Sequence, residues 1–177
     1  MFPRGYGDIV ICIDESSSMK GDAIAWAKAV ALALMEYALQ NGKSCGIIRF
    51  SSKGCMQEHL FQKGKYSVND ILFFAESFLG GGTNFEEPLT KSIELIEHNE
   101  FQNADIVFLT DGECAISDEF TAQFQNKRKQ LKFSVTGIVM DINAPSMTFS
   151  LTPFCSKTYI LSEISCNEAA ESIIMDK

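Results

Sequence analysis

Four runs of this chain are apolar and rich in β-branched residues almost without interruption, and helical patterns lie between them. The runs are "DIVICI" (8–13), "CGIIRF" (45–50), "ADIVFLT" (104–110) and "FSVTGIVM" (133–140), with "KTYIL" (157–161) as a weaker fifth. A strand with one wet face alternates apolar and polar residues, so near-continuous runs mark strands covered on both faces. Helical spacing is read at 23–40, 68–79, 86–98, 117–130 and 167–175. The first is apolar almost all round, with Asp22 placed as an N-cap and Asn41-Gly42 as its stop. The segment "CMQEHLFQKG" (55–64) follows the second run after only a few residues, too few for a crossover. It is predicted to be an antiparallel hairpin strand at the sheet edge. The expected architecture is α/β with three layers, helices on both faces of a mostly parallel sheet with one antiparallel edge strand. No internal repeat or linker divides residues 1–177, so one domain is expected.

Composition narrows the function classes. The formal net charge is −8 and the 15 basic residues are scattered, which argues against nucleic acid or an anionic membrane as the main partner. The one basic cluster, Lys127-Arg128-Lys129, falls where a helix should end and suits its dipole. Cys12, Cys45, Cys55, Cys114, Cys155 and Cys166 contain no C-x-x-C pair, and the first two lie in or beside strand runs as small hydrophobes. "MFPRGYGDIV" lacks the apolar core of a signal peptide, and "AIAWAKAVALALM" (23–35) is too short to span a bilayer. The expectation is a reduced, cytoplasmic, soluble protein without a membrane span.

Hard oxygen donors gather at strand and turn ends. After the first strand comes "DESSS" with Asp14, Ser16 and Ser18; before the third helix comes "GGGTN" with Thr83; after "DIVFLT" comes "DGE" with Asp111. In an extended segment residues 14, 16 and 18 project to one side. In open α/β sheets ligands bind outside the carboxyl ends of the strands, where strand order reverses. Three hydroxyls and two carboxylates, with no His or Cys, form an all-oxygen set suited to Mg²⁺, Mn²⁺ or Ca²⁺.

This combination resembles the von Willebrand factor A (VWA) domain and its metal-ion-dependent adhesion site. The family pattern is D-x-S-x-S after the first strand, a Thr in a Gly-rich loop and an Asp after the fourth strand. Asp14, Ser16, Ser18, Thr83 and Asp111 match it, and the order of strands and helices fits over essentially the whole chain. The resemblance implies a Rossmann-like fold in which the two serines ligate the metal directly. Thr83 and the two aspartates would do so directly or through water, and a partner protein would supply an Asp or Glu carboxylate. Ser17 stands where the family often has Gly. Within the family, "CIDESSSM" and "GGGTNFEEPLTKSIELI" are similar to the bacterial ViaA and CoxE-like type. Those are cytoplasmic proteins with a VWA domain that partner a MoxR-type AAA+ ATPase, which implies that this chain is a domain of a longer protein.

Plainer readings exist for each residue. Ser16 to Ser18 and Asp22 could serve only as helix caps, and Asp111-Gly112 could be an ordinary turn. Thr83 with Glu86 reads as a capping box, yet Pro88 would then fall at the fifth helical position and break a hydrogen bond. The third helix is therefore expected to settle only after residue 84. Glu15, Glu113 and Asp141 are expected to border the site without ligating, and His59 and His98 to be surface residues. Enzyme readings have weak support. Ser17-Ser-Met-Lys20 fits S-x-x-K, but S-D-N and K-T-G are missing; G-x-S-x-G is absent too. An aspartyl-phosphate hydrolase would use Asp14, but its usual second Asp is Ser16 here. A metal-dependent phosphohydrolase and a metal-free scaffold remain the alternatives to a non-catalytic, metal-dependent interaction module.

Overall fold

The computed structural model describes residues 7–62, 64–98, 101, 103–112, 114–140 and 151–160. The expected helix at 167–175 lies outside them, as do Glu113, Asp141, Cys166 and residue 161 of the fifth run. Six strands form one sheet: β1 (Ile9–Asp14), β2 (Cys45–Phe50), β3 (Met56–Phe61), β4 (Asp105–Thr110), β5 (Val135–Val139) and β6 (Lys157–Ile160). Their order is β3-β2-β1-β4-β5-β6, and every pair is parallel except β2 with β3. Ile9 sits opposite Cys45 on one side and Asp105 on the other. The chain therefore winds outward from β1 to the β3 edge and then crosses back to β4. The reversal between β1 and β4 opens a crevice at their carboxyl ends, which is where Asp14 and Asp111 lie.

Every residue of β1 is buried, and its period-two alternation feeds two cores. Ile9, Ile11 and Ile13 join the helices α1 (Asp22–Gln40) and α2 (Val68–Glu76) on one face. Val10 and Cys12 join α3 (Glu86–Glu97) and α4 (Asp118–Leu131) on the other. Full burial of each such aliphatic or aromatic side chain contributes about 1.5–3 kcal/mol. The expected three-layer α/β fold, with β3 as its antiparallel edge strand, is the one observed.

Several boundaries move for identifiable reasons. Asp22 is not the N-cap of α1: Gly21, at φ 104°, takes that place, and Asp22 becomes the first helical residue, where its charge suits the dipole. α2 begins at Val68, as expected, behind a capping box between Ser67 and Asp70, but stops at Glu76 rather than 79. Lys28 captures the carbonyls of Ala75 and Ser77, and Leu79 donates its N–H to Glu15, so the chain leaves the helix to meet partners elsewhere. α3 starts at Glu86, which puts Pro88 in its first turn, where no N–H is needed. Asn84 accepts from the N–H of Glu87, and Glu86 turns instead to Ser117. Ser117 caps α4, and the basic cluster falls at its end as expected, with Lys127 paired to Glu97.

His59 is half-buried rather than a surface residue, because Phe61, Phe73 and Phe74 surround its ring. Burial lowers its pKa, and Arg49 lowers it further. His98 is exposed and contacts the carbonyl of Glu94. Cys12, Cys45, Cys55, Cys114 and Cys155 are all free thiols. Burial pushes the Cys12 thiol up to about 12 against an opposing hydrogen bond with Ser92, and raises Cys45 further still. Among the described residues no helix is long and apolar enough to cross a membrane.

Candidate metal centre

Asp14 is the last residue of β1 and is fully buried. Both of its oxygens already take protein hydrogens. Oδ1 accepts from the Ser16 N–H at 2.8 Å, and Oδ2 accepts from the Thr110 hydroxyl at 2.6 Å. Thr110 Oγ1 accepts in turn from the Gly112 N–H at 3.0 Å, so the end of β4 and its following turn are locked onto Asp14. Burial pushes the Asp14 carboxyl above its usual value; hydrogen bonds from Thr110 and Ser16 oppose this, and Asp111 adds to the rise.

The strand ends at Asp14, so the expected projection of 14, 16 and 18 along one extended segment holds only in part. Ser16 is extended (φ −60°, ψ 161°), but Ser17–Met19 form a single 3-10 turn. That turn folds Ser18 back, and its hydroxyl lies 3.1 Å from that of Ser16. Ser18 Oγ also donates to Asp111 Oδ1 at 2.9 Å. Asp14, Ser16, Ser18 and Asp111 thus form one connected polar chain that rises from a buried floor to an exposed Ser18.

The loop that carries Thr83 lies beside this cluster. The Gly-rich segment lies against the β1 loop, with the Ser17 N–H donating to the Gly81 carbonyl at 2.9 Å. The Thr83 carbonyl accepts from Cys114 Sγ at 3.6 Å, which ties it to the loop after β4. Thr83 and Asp111 are both half-buried at the rim.

The donor chemistry fits a hard divalent cation. Hydroxyls and carboxylates converge there, while among the described residues no group of three or more His, Cys, Asp or Glu is placed to hold a metal. Each Asp14 oxygen accepts one hydrogen bond and keeps a further lone pair, so direct and water-mediated contact with a cation are both open to it. Ser16, Ser18 and Asp111 are linked by hydroxyl hydrogen bonds, with the Asp111 carboxylate accepting, and their oxygens keep lone pairs that a cation could take. A raised carboxyl beside a second carboxylate is an electrostatic arrangement that a cation relieves.

Glu15 is the residue sequence reasoning undervalued. It does border the site, as expected, but its side chain is wholly buried on the α1/α2 face. Arg49 grips it with two bonds, Nε to Oε1 at 2.8 Å and Nη2 to Oε2 at 2.7 Å. Lys28 Nζ stands 3.4 Å from Oε1. The signal was Arg49 itself, a charge inside the apolar run "CGIIRF" that had to find a buried acid.

Comparison with known proteins points one way. An uncharacterized protein of Methanocaldococcus jannaschii is 40% identical over 135 residues, 76% of this chain and 33% of its own length. A regulatory protein ViaA of Edwardsiella ictaluri is 31% identical over 105 residues, covering 59% of this chain and 21% of that protein. The chain thus spans about a third or less of the length of these curated relatives. A von Willebrand factor type A structure from Catenulispora acidiphila superposes with TM-score 0.63 at 17% identity, over 96% of this chain and 43% of the other. The profile of the von Willebrand factor type A domain matches residues 9–113, the stretch holding all five candidate ligands, and the chain belongs to that family.

Proposed function

We propose that this domain is a non-catalytic protein-interaction module that binds a partner's acidic side chain through Mg²⁺ or Mn²⁺, with Ca²⁺ as the weaker alternative. The observation that carries the reading is the connected chain Ser16–Ser18–Asp111 above a buried, braced Asp14. A bound cation would supply an open coordination position for one more anionic oxygen. Ser16 and Ser18 would hold it directly, with Thr83, Asp14 and Asp111 contributing directly or through ordered water. Three neutral hydroxyls and two carboxylates, one of them buried, leave room for the charge of an incoming Asp or Glu. A carboxylate bound in such a partly dry contact is held far more firmly than in a rim ion pair.

Neither histidine is placed to activate these hydroxyls. Ser17 Oγ is occupied by the Gly81 N–H, and His59 lies among aromatic rings on β3. The ViaA relative, a regulatory protein by name, favours a protein partner, and the first candidate is the one the sequence resemblance implies, a cytoplasmic MoxR-type AAA+ ATPase. Calorimetry with Mg²⁺ and Mn²⁺ tests the ion: Asp14→Ala should weaken binding roughly 10–100-fold while the fold persists. Equal affinity would sink the site. Capture of the purified ATPase should require Mg²⁺ and fail with EDTA or with Ser16→Ala/Ser18→Ala; capture in every condition would remove the metal from the mechanism.

A further inference from the structure

The loop after β1 divides by parity. Residues 14, 16 and 18 face the candidate metal centre, whereas residues 15 and 17 hold the Gly-rich loop. The Glu15 carbonyl accepts from the Gly80 N–H at 2.9 Å, and Glu15 Oε2 accepts from the Leu79 N–H at 3.0 Å. Ser17 makes a reciprocal pair with Gly81: its N–H donates to the Gly81 carbonyl at 2.9 Å, and its Oγ accepts from the Gly81 N–H at 2.9 Å. Gly80 (φ 68°) and Gly81 (φ 106°) adopt the left-handed backbone this path needs. Behind Glu15 stand Arg49 of β2, with no exposed side-chain surface, and Lys28 of α1. Lys28 also binds the carbonyls of Ala75 and Ser77 at the end of α2.

Buried ion pairs are poor contributors to stability, since apolar replacements of similar volume are often neutral or better. The network therefore calls for a geometric reason. With Ser17, it joins β1, β2, α1 and the end of α2 to Leu79, Gly80 and Gly81, three of the residues that lead into Thr83.

We propose that Glu15, Arg49 and Ser17 are positioning residues. They fix the Gly-rich loop against the β1 loop, so that Thr83 is set beside Ser16 and Ser18 before a cation arrives. This rests on the metal-centre reading above. The residues between the ligands of the D-x-S-x-S motif are thus part of the site's construction. Without them the cation would have to order residues 77–83 on binding, and its affinity would fall accordingly.

The test compares the parent with a charge-free variant, Glu15→Leu/Lys28→Met/Arg49→Met, and with Ser17→Ala, whose side chain is exposed. Three quantities are read: urea stability, Mn²⁺ affinity by calorimetry, and amide exchange at Leu79, Gly80 and Gly81 in metal-free protein. The charge-free variant should keep near-parental stability, exchange those amides at least about tenfold faster and bind Mn²⁺ about tenfold more weakly. Ser17→Ala should lose about threefold in affinity. A merely structural role would change stability and leave affinity alone. Folded variants with unchanged loop exchange and affinity within about twofold of the parent would overturn the proposal. If the charge-free variant does not fold, Ser17→Ala decides by the same criterion. If the parent itself binds no cation, the metal-centre reading fails, while amide exchange still decides whether the odd residues hold the loop.

Discussion

The two faces of the sheet meet the same strands with opposite chemistry. On the α3/α4 face, Phe108 packs its ring against Phe50, Phe85 and Phe154 at centroid distances of 5.2, 4.9 and 5.1 Å, and Phe124 joins Phe133 and Phe154. On the α1/α2 face the packing is mostly aliphatic, and at the carboxyl end of the sheet it gives way to Glu15, Arg49 and Lys28. Rings fill volume and tolerate small rotations. Charged hydrogen bonds are directional, and they place specific backbone atoms of a loop. Both faces bury an extensive core, but the directional polar contacts that place the Gly-rich loop lie on the α1/α2 face, starting at Glu15 beside Asp14.

The strongest attempt to break this contrast is Phe108→Ala. It should cost about 3–5 kcal/mol in urea unfolding, because the cavity opens among three neighbouring rings. A loss no larger than that of a surface substitution would refute the division. Next comes Glu15→Leu alone, which leaves Arg49 buried and short of its acid. A loss of about 3 kcal/mol is expected, at the low end of the usual range because Gln57 still accepts from Arg49 Nη1 at 2.9 Å. Adding Arg49→Met should recover most of that loss. Failure to recover would mean the ion pair stabilises the fold outright.

Smaller effects sharpen the picture at α2. Ser67→Ala removes the cap that accepts from the Asp70 N–H and should cost about 1 kcal/mol by thermal unfolding. Hydrogen bonds from Ser67, backbone first and then side chain, hold the Asp70 carboxyl below its usual value of 3.8. A depressed carboxyl contributes stability that is present above 3.8 and is lost as pH falls through its lower folded value. Asp70→Asn should therefore flatten the acid limb of a urea-midpoint profile between about pH 2 and 5. An unchanged limb would show that the capping box is not formed in solution.

Local patterns made most of the architecture readable. Branched apolar runs such as "DIVICI" announce strands wherever they occur, and Pro88 alone was enough to delay the start of α3. Asp14 and Asp111 could be assigned to the ends of β1 and β4 from sequence, and the structure places them there. What escaped depends on distant partners. The end of α2 is decided by Lys28, some 47 residues upstream of the carbonyl it takes from Ala75. His59 looked exposed on an edge strand because the rings of Phe73 and Phe74 come from a later helix. The 3-10 turn at Ser17–Met19 closes on its own bonds, Met19 N–H to the Ser16 carbonyl, but its seat against Gly81 depends on a loop far along the chain. The pairing of Glu15 with Arg49 escaped for the same reason, since it exists only once β2 lies alongside β1.

The buried thiols of the first two strands carry a consequence of a different kind. Only the thiolate reacts with alkylating reagents, and Cys12 and Cys45 are both sealed from solvent and held in the thiol form. Their labelling must wait for β1 and β2 to come apart, whereas the half-exposed Cys55 and Cys114 can be modified in the native state. The chain thus contains its own clock. Once the outer thiols are blocked, the rate at which Cys12 and Cys45 take up a mass tag measures how often the centre of the sheet opens.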